Sequence, residues 1–144
     1  MVRLSKRIEY ALLAMQDIAS KPGNIVSAKD VAVHYGISQA LVAKVLQQLA
    51  RHGLIRSYAG STGGYTLARP SDSITVAEVI LVMEGGSSAL VDCQSTDHSS
   101  CSAEHTCTIK EPLGRLQERI QETFRSMSIA ELAAPRELVQ LEVL

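Results

Sequence analysis

All three cysteines of this 144-residue chain fall in one stretch, Val91 to Lys110, at Cys93, Cys101 and Cys107. The residues between them are small, polar or charged, with almost no large apolar side chain. Such a segment buries too little apolar surface to offset the entropy of ordering its backbone. It needs a tether of another kind, and a metal centre held by thiolates is the obvious candidate. The rest of the chain divides around it, with short helices and a hairpin before and one longer helix after.

Hydrophobic residues make up 46% and aromatics only 3%, so the core is built mostly from Leu, Ile, Val and Ala, which favours helices. No apolar run reaches the length of a membrane span, and Arg3, Lys6, Arg7 and Glu9 break up an opening that would otherwise resemble a signal peptide. The expected compartment is the cytoplasm, with no membrane partner. There, cysteines bind metal or sense redox state more readily than they form structural disulfides. The net charge of −1 conceals an asymmetry. Residues 1–70 hold nine Lys/Arg against three Asp/Glu, a net +6, and residues 71–144 hold five against twelve, a net −7. The first half suits a polyanion.

Ser5 to Ala19 reads as a helix, with Ile8, Ala11, Leu12, Met15, Ile18 and Ala19 at helical spacing, stopped by Lys21-Pro22-Gly23-Asn24. Ser27 caps a second, short helix, with Asp30 in its first turn, Val31 and Ala32 inward and Gly36 at its end. Ser38 caps a third helix running to about Arg51. Leu41, Val42, Val45, Leu46 and Leu49 form its apolar stripe, and Gln39, Ala40, Ala43, Lys44, Gln47 and Gln48 the opposite face. Two short helices joined by a glycine turn, the second with an acid-free amide face, match the helix-turn-helix pattern. Glutamine can bond adenine edges, lysine can reach guanine or phosphate, and alanine can touch a thymine methyl.

Gly53 to Tyr58 and Tyr65 to Ala68 read as two strands around an Ala59–Gly64 turn, a hairpin placed as a wing. Its backbone N–H groups and the Ser61 and Thr62 hydroxyls can bond phosphate, and Arg56 can add a contact. The expected DNA-binding residues are therefore Ser38, Gln39, Ala40, Lys44 and Gln47, with Arg56, Tyr58, Ser61, Thr62, Gly63, Gly64 and Tyr65. Thr75 with Glu78 forms a capping box for a helix through Met83. Pro112 opens a longer helix to about Ser126. Its Leu113, Leu116, Ile120, Phe124 and Met127 make a seam suited to a partner helix, so a two-fold dimer is expected. Ser128 with Glu131 caps a last short helix.

The expected fold is mainly α with a small β-hairpin. A winged helix-turn-helix domain spans residues 1–70. Residues 71–134 hold a connecting helix, the cysteine-bearing loop (about 91–110) and a long dimerisation helix (about 112–127), and residues 135–144 form a tail.

The chain resembles the Rrf-two family of winged-helix bacterial transcription regulators, the IscR-, NsrR- and RirA-like proteins. The resemblance rests on Leu4-Ser5, Tyr10-Ala11-Leu12, Gly36-Ile37-Ser38, Leu49 to Leu54, Gly63 to Pro70, Ile74-Thr75-Val76 and the three cysteines, over about residues 2–134. It implies a homodimer, a palindromic double-stranded DNA operator, and a [2Fe-2S] or [4Fe-4S] cluster on Cys93, Cys101 and Cys107. It also implies that the partner's N-terminal part can supply a fourth ligand, for which Glu9 and His34 match positions used by relatives. The chain departs from the pattern in three places. Seven residues separate Cys93 from Cys101 where five is common, Lys110 stands where some relatives carry histidine, and Ala59 stands where arginine is common at the wing tip.

Read from the residues alone, the fourth ligand could also be His98 or His105. A Cys3His zinc site or a cluster-free thiol switch are rivals to a cluster, although structural zinc prefers tighter paired spacing. The functional expectation is a sequence-specific regulator, a repressor, controlled by an iron–sulfur cluster that senses redox state, iron supply or nitric oxide. An electron carrier or cluster scaffold would need neither the wing nor the charge split. An enzyme is not expected, since no nucleophile–base pair stands out and Gly60 to Gly64 precedes a strand, not a helix.

Overall fold

The computed structural model describes residues 3–86, 89–94 and 101–135. The chain runs α1 (Lys6–Ala19), α2 (Ala28–Tyr35), α3 (Gln39–Arg51), β1 (Ile55–Tyr58), β2 (Gly64–Leu67), α4 (Val76–Glu84), α5 (Lys110–Ser126) and α6 (Ile129–Ala133). Short 3-10 turns lie at Ser71–Ser73 and Asp92–Gln94. This is the expected mainly α architecture with one antiparallel hairpin. Residues 136–144 and His98 lie outside the described residues.

Side-chain caps set most helix starts. Ser5, Ser27, Ser38, Thr75 and Ser128 each accept a hydrogen bond from the N–H three residues on, satisfying a donor that the helix itself leaves free. Ser27/Asp30 and Thr75/Glu78 are reciprocal capping boxes. Burial pushes the Glu78 carboxyl up, but the Thr75 N–H and the Arg69 guanidinium together hold it below the usual carboxylate range. Helix α5 begins without a side-chain cap, two residues earlier than Pro112 suggests. Gly36 and Gly85 end α2 and α4 in the left-handed conformation that glycine adopts without steric cost.

One core joins these elements. Ile8, Met15, Val31, Val42, Leu46, Leu49, Ile55, Ile74, Val79 and Ile129 are all fully buried in it, so packing continues across residue 70 into α4 and α6. A two-sided backbone bridge ties the α1–α2 linker to the wing, with Val26 N–H to Tyr65 O at 3.0 Å and Tyr65 N–H to Val26 O at 2.8 Å. A second bridge ties α6 to the start of α4, through Val76 N–H to Met127 O at 2.9 Å and Ile129 N–H to Ile74 O at 2.8 Å. Helix α5 buries none of its residues fully within the chain, and Leu116 and Met127 of its seam are exposed. No helix among the described residues is long and apolar enough to cross a membrane.

Three sequence expectations are corrected. Leu41 does not belong to the buried stripe of α3; at 46% exposure it lies on the helix flank, because the stripe narrows to Val42, Val45, Leu46 and Leu49. Gln48 is not free on the polar face. Its amide donates to the Val82 carbonyl of α4 at 2.7 Å and accepts from the Arg7 guanidinium of α1. Asp17, to which the sequence reading gave no role, is buried at 1% exposure. Strand β1 is shorter than expected and β2 starts and ends one residue early: Leu54 and Ala68 lie outside them, joined by a single backbone bond.

Gly64 packs against the Val26 backbone. A Cβ there would lie 2.6 Å from Val26 O and 2.8 Å from Ile25 Cγ2. Gly64→Ala is expected to cost about 1–3 kcal/mol, the range for overpacking. Urea unfolding will show it as a lower midpoint at unchanged slope.

Candidate nucleic-acid interface and cysteine segment

Burying one stripe of α3 turns its other residues outward. Gln39, Ala40, Lys44 and Gln47 are exposed, as is Ser38 at the cap. Arg51, at the C-terminal end of the same helix, is exposed too and extends this row by a cation the sequence reading did not include. Its spacing from Lys44 and Gln47 (seven and four residues) was the available signal.

In the wing, β1 and β2 pair Ile55 with Leu67, Arg56 with Thr66, Ser57 with Tyr65 and Tyr58 with Gly64. Arg56 and Tyr58 are exposed on β1, and Ser61 and Thr62 are exposed at the tip. Gly63, Gly64 and Tyr65 have intramolecular reasons for their places. A Cβ on Gly63 would collide with the Tyr58 carbonyl, and the Gly63 N–H is taken by Gly60 O at 3.1 Å. Tyr65 is half-buried in the bridge to Val26. These three residues shape the wing, and the exposed side chains around them are the groups free to meet phosphate.

The cysteine segment is held at both ends by amide hydrogen bonds rather than left loose. The Leu90 N–H donates to Gln117 Oε1 of α5 at 2.9 Å, and Gln94 Nε2 donates to the Lys110 carbonyl at 3.2 Å. All three cysteines are free thiols. Cys93 and Cys107 are half-buried and Cys101 is exposed. Among the described residues no three His, Cys, Asp or Glu side chains converge closely enough to hold a metal ion. The donor chemistry fits an iron–sulfur cluster, since three soft thiols lie in one segment, but the segment must close further to present them at one point. His105 is exposed in the same segment.

The two candidate ligands on the early helices differ. Glu9 forms a 2.6 Å ion pair with Lys6 one turn before it. His34 is oriented more firmly. Its Nδ1 lies 2.9 Å from Oδ1 of the buried Asp17, whose Oδ2 takes Lys21 Nζ at 3.0 Å. The His34 ring stacks on Tyr35 with centroids 4.4 Å apart. Burial, and then the Asp17 charge, push the Tyr35 hydroxyl above its ordinary range. In the neutral ring with Nδ1–H donated to that carboxylate, the other nitrogen presents a lone pair, the arrangement common to metal-binding histidines.

A family model described as an iron-dependent transcriptional regulator, Rrf2, matches residues 4–135. The chain belongs to the Rrf2 family. It is 35% identical over 131 residues to BadM of Rhodopseudomonas palustris, named as an HTH-type transcriptional regulator, covering 91% of this chain and 81% of that one. Among solved structures, CymR, the global cysteine regulator of B. subtilis, superposes with a TM-score of 0.74 at 26% identity, covering 92% of this chain and 97% of CymR. IscR of T. potens superposes with a TM-score of 0.69 at 27% identity, covering 91% and 85%. The chain is thus a winged-helix, DNA-binding transcriptional regulator.

The Asp17 contact makes a specific statement about His34. In the neutral imidazole the proton is expected on Nδ1, donated to Asp17, and ring-nitrogen NMR shifts will report that tautomer. Asp17→Ala should shift the ring toward the Nε2–H form; a spectrum unchanged by that substitution would remove the orienting role.

Proposed function

We propose that this Rrf2 regulator is a homodimeric repressor whose hold on a palindromic operator follows the state of an iron–sulfur cluster on Cys93, Cys101 and Cys107. One observation carries the reading. The free thiols sit on the segment joining α4 to α5, and the reading helix α3 is bonded to α4 through Gln48 and the Val82 carbonyl. A change in how the thiols are held can therefore reach the DNA-reading helix through one packed helix, a local event with a distant readout.

The proposed DNA contacts are Ser38, Gln39, Ala40 and Gln47 in the major groove, with Lys44 on the same helix reaching a phosphate. Arg56, Tyr58, Ser61 and Thr62 act along the phosphates, on a wing whose shape is set by Gly63, Gly64 and Tyr65. Dimerisation uses α5, whose apolar seam has too little cover within one chain. Two α3 helices related by a two-fold axis read half-sites about one helical turn apart. His34 of the partner subunit is favoured over Glu9 of the partner subunit as fourth ligand, because Asp17 already orients its ring. An iron–sulfur cluster, when bound, would supply an iron whose ligation responds to oxidants, nitric oxide or iron supply.

A cluster-free thiol switch is the second reading. It is supported by the likeness to CymR, a cysteine regulator by name, and by the greater exposure of Cys101 than of Cys93 or Cys107. Anaerobic purification separates the two. The cluster reading expects a coloured protein with iron and acid-labile sulfide in the dimer, both lost from the Cys93→Ala/Cys101→Ala/Cys107→Ala variant. A colourless or zinc-loaded protein would leave the switch, or zinc, in its place.

On selected operator duplexes, Lys44→Ala should weaken binding at all sequences alike and lower the salt slope by about 1. Gln47→Ala should instead cost about 1–3 kcal/mol of discrimination at one base pair. Competition titrations at several salt concentrations read both; equal loss of discrimination from the two variants would remove Gln47 from base reading.

A further inference from the structure

The amide of Gln94 is built in an unexpected way. Its Nε2 bonds the Lys110 carbonyl at 3.2 Å, joining residues 16 apart, while its Oε1 is buried with no partner among the described residues. A buried acceptor without a donor costs stability, and a leucine would fill similar space without that cost. Exchanging the two amide atoms would not help, because Oε1 would then face a carbonyl oxygen. Room for the amide comes from Gly114, one turn into α5, where a Cβ would lie 3.3 Å from Nε2. Gln94 therefore occupies its place at some expense to the fold, for the sake of the single bond to Lys110.

That bond lies at the base of the cysteine loop. Gln94 directly follows Cys93, and Lys110 lies three residues past Cys107. Three residues of backbone reach no more than about 11 Å, so a fixed Lys110 carbonyl keeps Cys107 nearby. The Gln94 N–H is itself bonded to Val91 O at 3.0 Å, which fixes the turn that carries Cys93. Cys101 is the exposed thiol of the three. We infer that Gln94 is a positioning residue for the thiols: its side-chain N–H holds Cys93 close to Cys107. The role concerns the thiols themselves and holds for a cluster, a zinc ion or a disulfide alike.

The test uses the full chain with Cys101→Ser, so that only the outer pair remains. The protein is equilibrated with glutathione disulfide, which oxidises Cys93 and Cys107 to a disulfide and is itself reduced to two glutathione thiols. The equilibrium constant gives the effective concentration of one thiol at the other. Gln94→Leu should lower it about fivefold, the size of one net amide hydrogen bond. The same substitution should leave the melting temperature of the reduced protein unchanged or raise it, because the unpartnered Oε1 is gone. Gln94→Glu, which keeps the shape but puts an anionic oxygen against the Lys110 carbonyl in place of the donor, should lower pairing at least as much as leucine does. Parent-like pairing in either variant overturns the inference. So does a joint fall of pairing and melting temperature in Gln94→Leu, which would make Gln94 a prop for the fold.

Discussion

Helix α3 must give one side to the core and the other to solvent, and most of the architecture follows from that division. Val42, Val45, Leu46 and Leu49 are buried among residues of α1, α2, β1 and α4, and this fixes how far α3 is rotated about its own axis. Ala40, Lys44, Gln47 and Arg51 then face outward as a row at helical spacing. Apolar burial is worth roughly 25 cal/mol per Å², so a rotation exposing the stripe would cost several kcal/mol. Burial alone, however, tolerates small slides along the helix.

Polar bonds remove that freedom. Gln48 holds α3 to the Val82 carbonyl and to Arg7, so the reading helix is registered against both α4 and α1. Asp17 does similar work between α1 and α2, with one oxygen on His34 and the other on Lys21. A buried carboxylate is tolerated because both of its oxygens are bonded. These side chains do little for net stability and much for where one helix sits relative to the next.

The helix starts were legible because each depends on a few neighbouring residues. Ser27 with Asp30, and Thr75 with Glu78, announce themselves within four positions. The wing was legible for the same reason, from its glycines and flanking strands. What the sequence concealed depends on partners far along the chain. Leu41 and Gln48 fall on the edges of the α3 stripe, where hydropathy alone cannot say which side is covered; contact with α4 decides it. Asp17 is buried only because His34 and Lys21 come to it. The bond from Gln94 to Lys110 spans a loop whose composition suggested no hold other than metal. The thiols were identifiable as a group by spacing, but whether they converge depends on loop conformation, which spacing does not encode.

The bridge between the start of α4 and the start of α6 has a bearing on the unusual cysteine spacing. Thr75 and Ser128 are backbone neighbours, so α4, packed into the core, and the cysteine segment and α5 that follow it begin and end at one point of the fold. Residues added within such an excursion lengthen it without displacing either end. The interval between the thiols can therefore lengthen or shorten at fixed ends, while α4, bonded to α3 through Val82 and Gln48, still connects the thiol-bearing segment to the DNA-facing half.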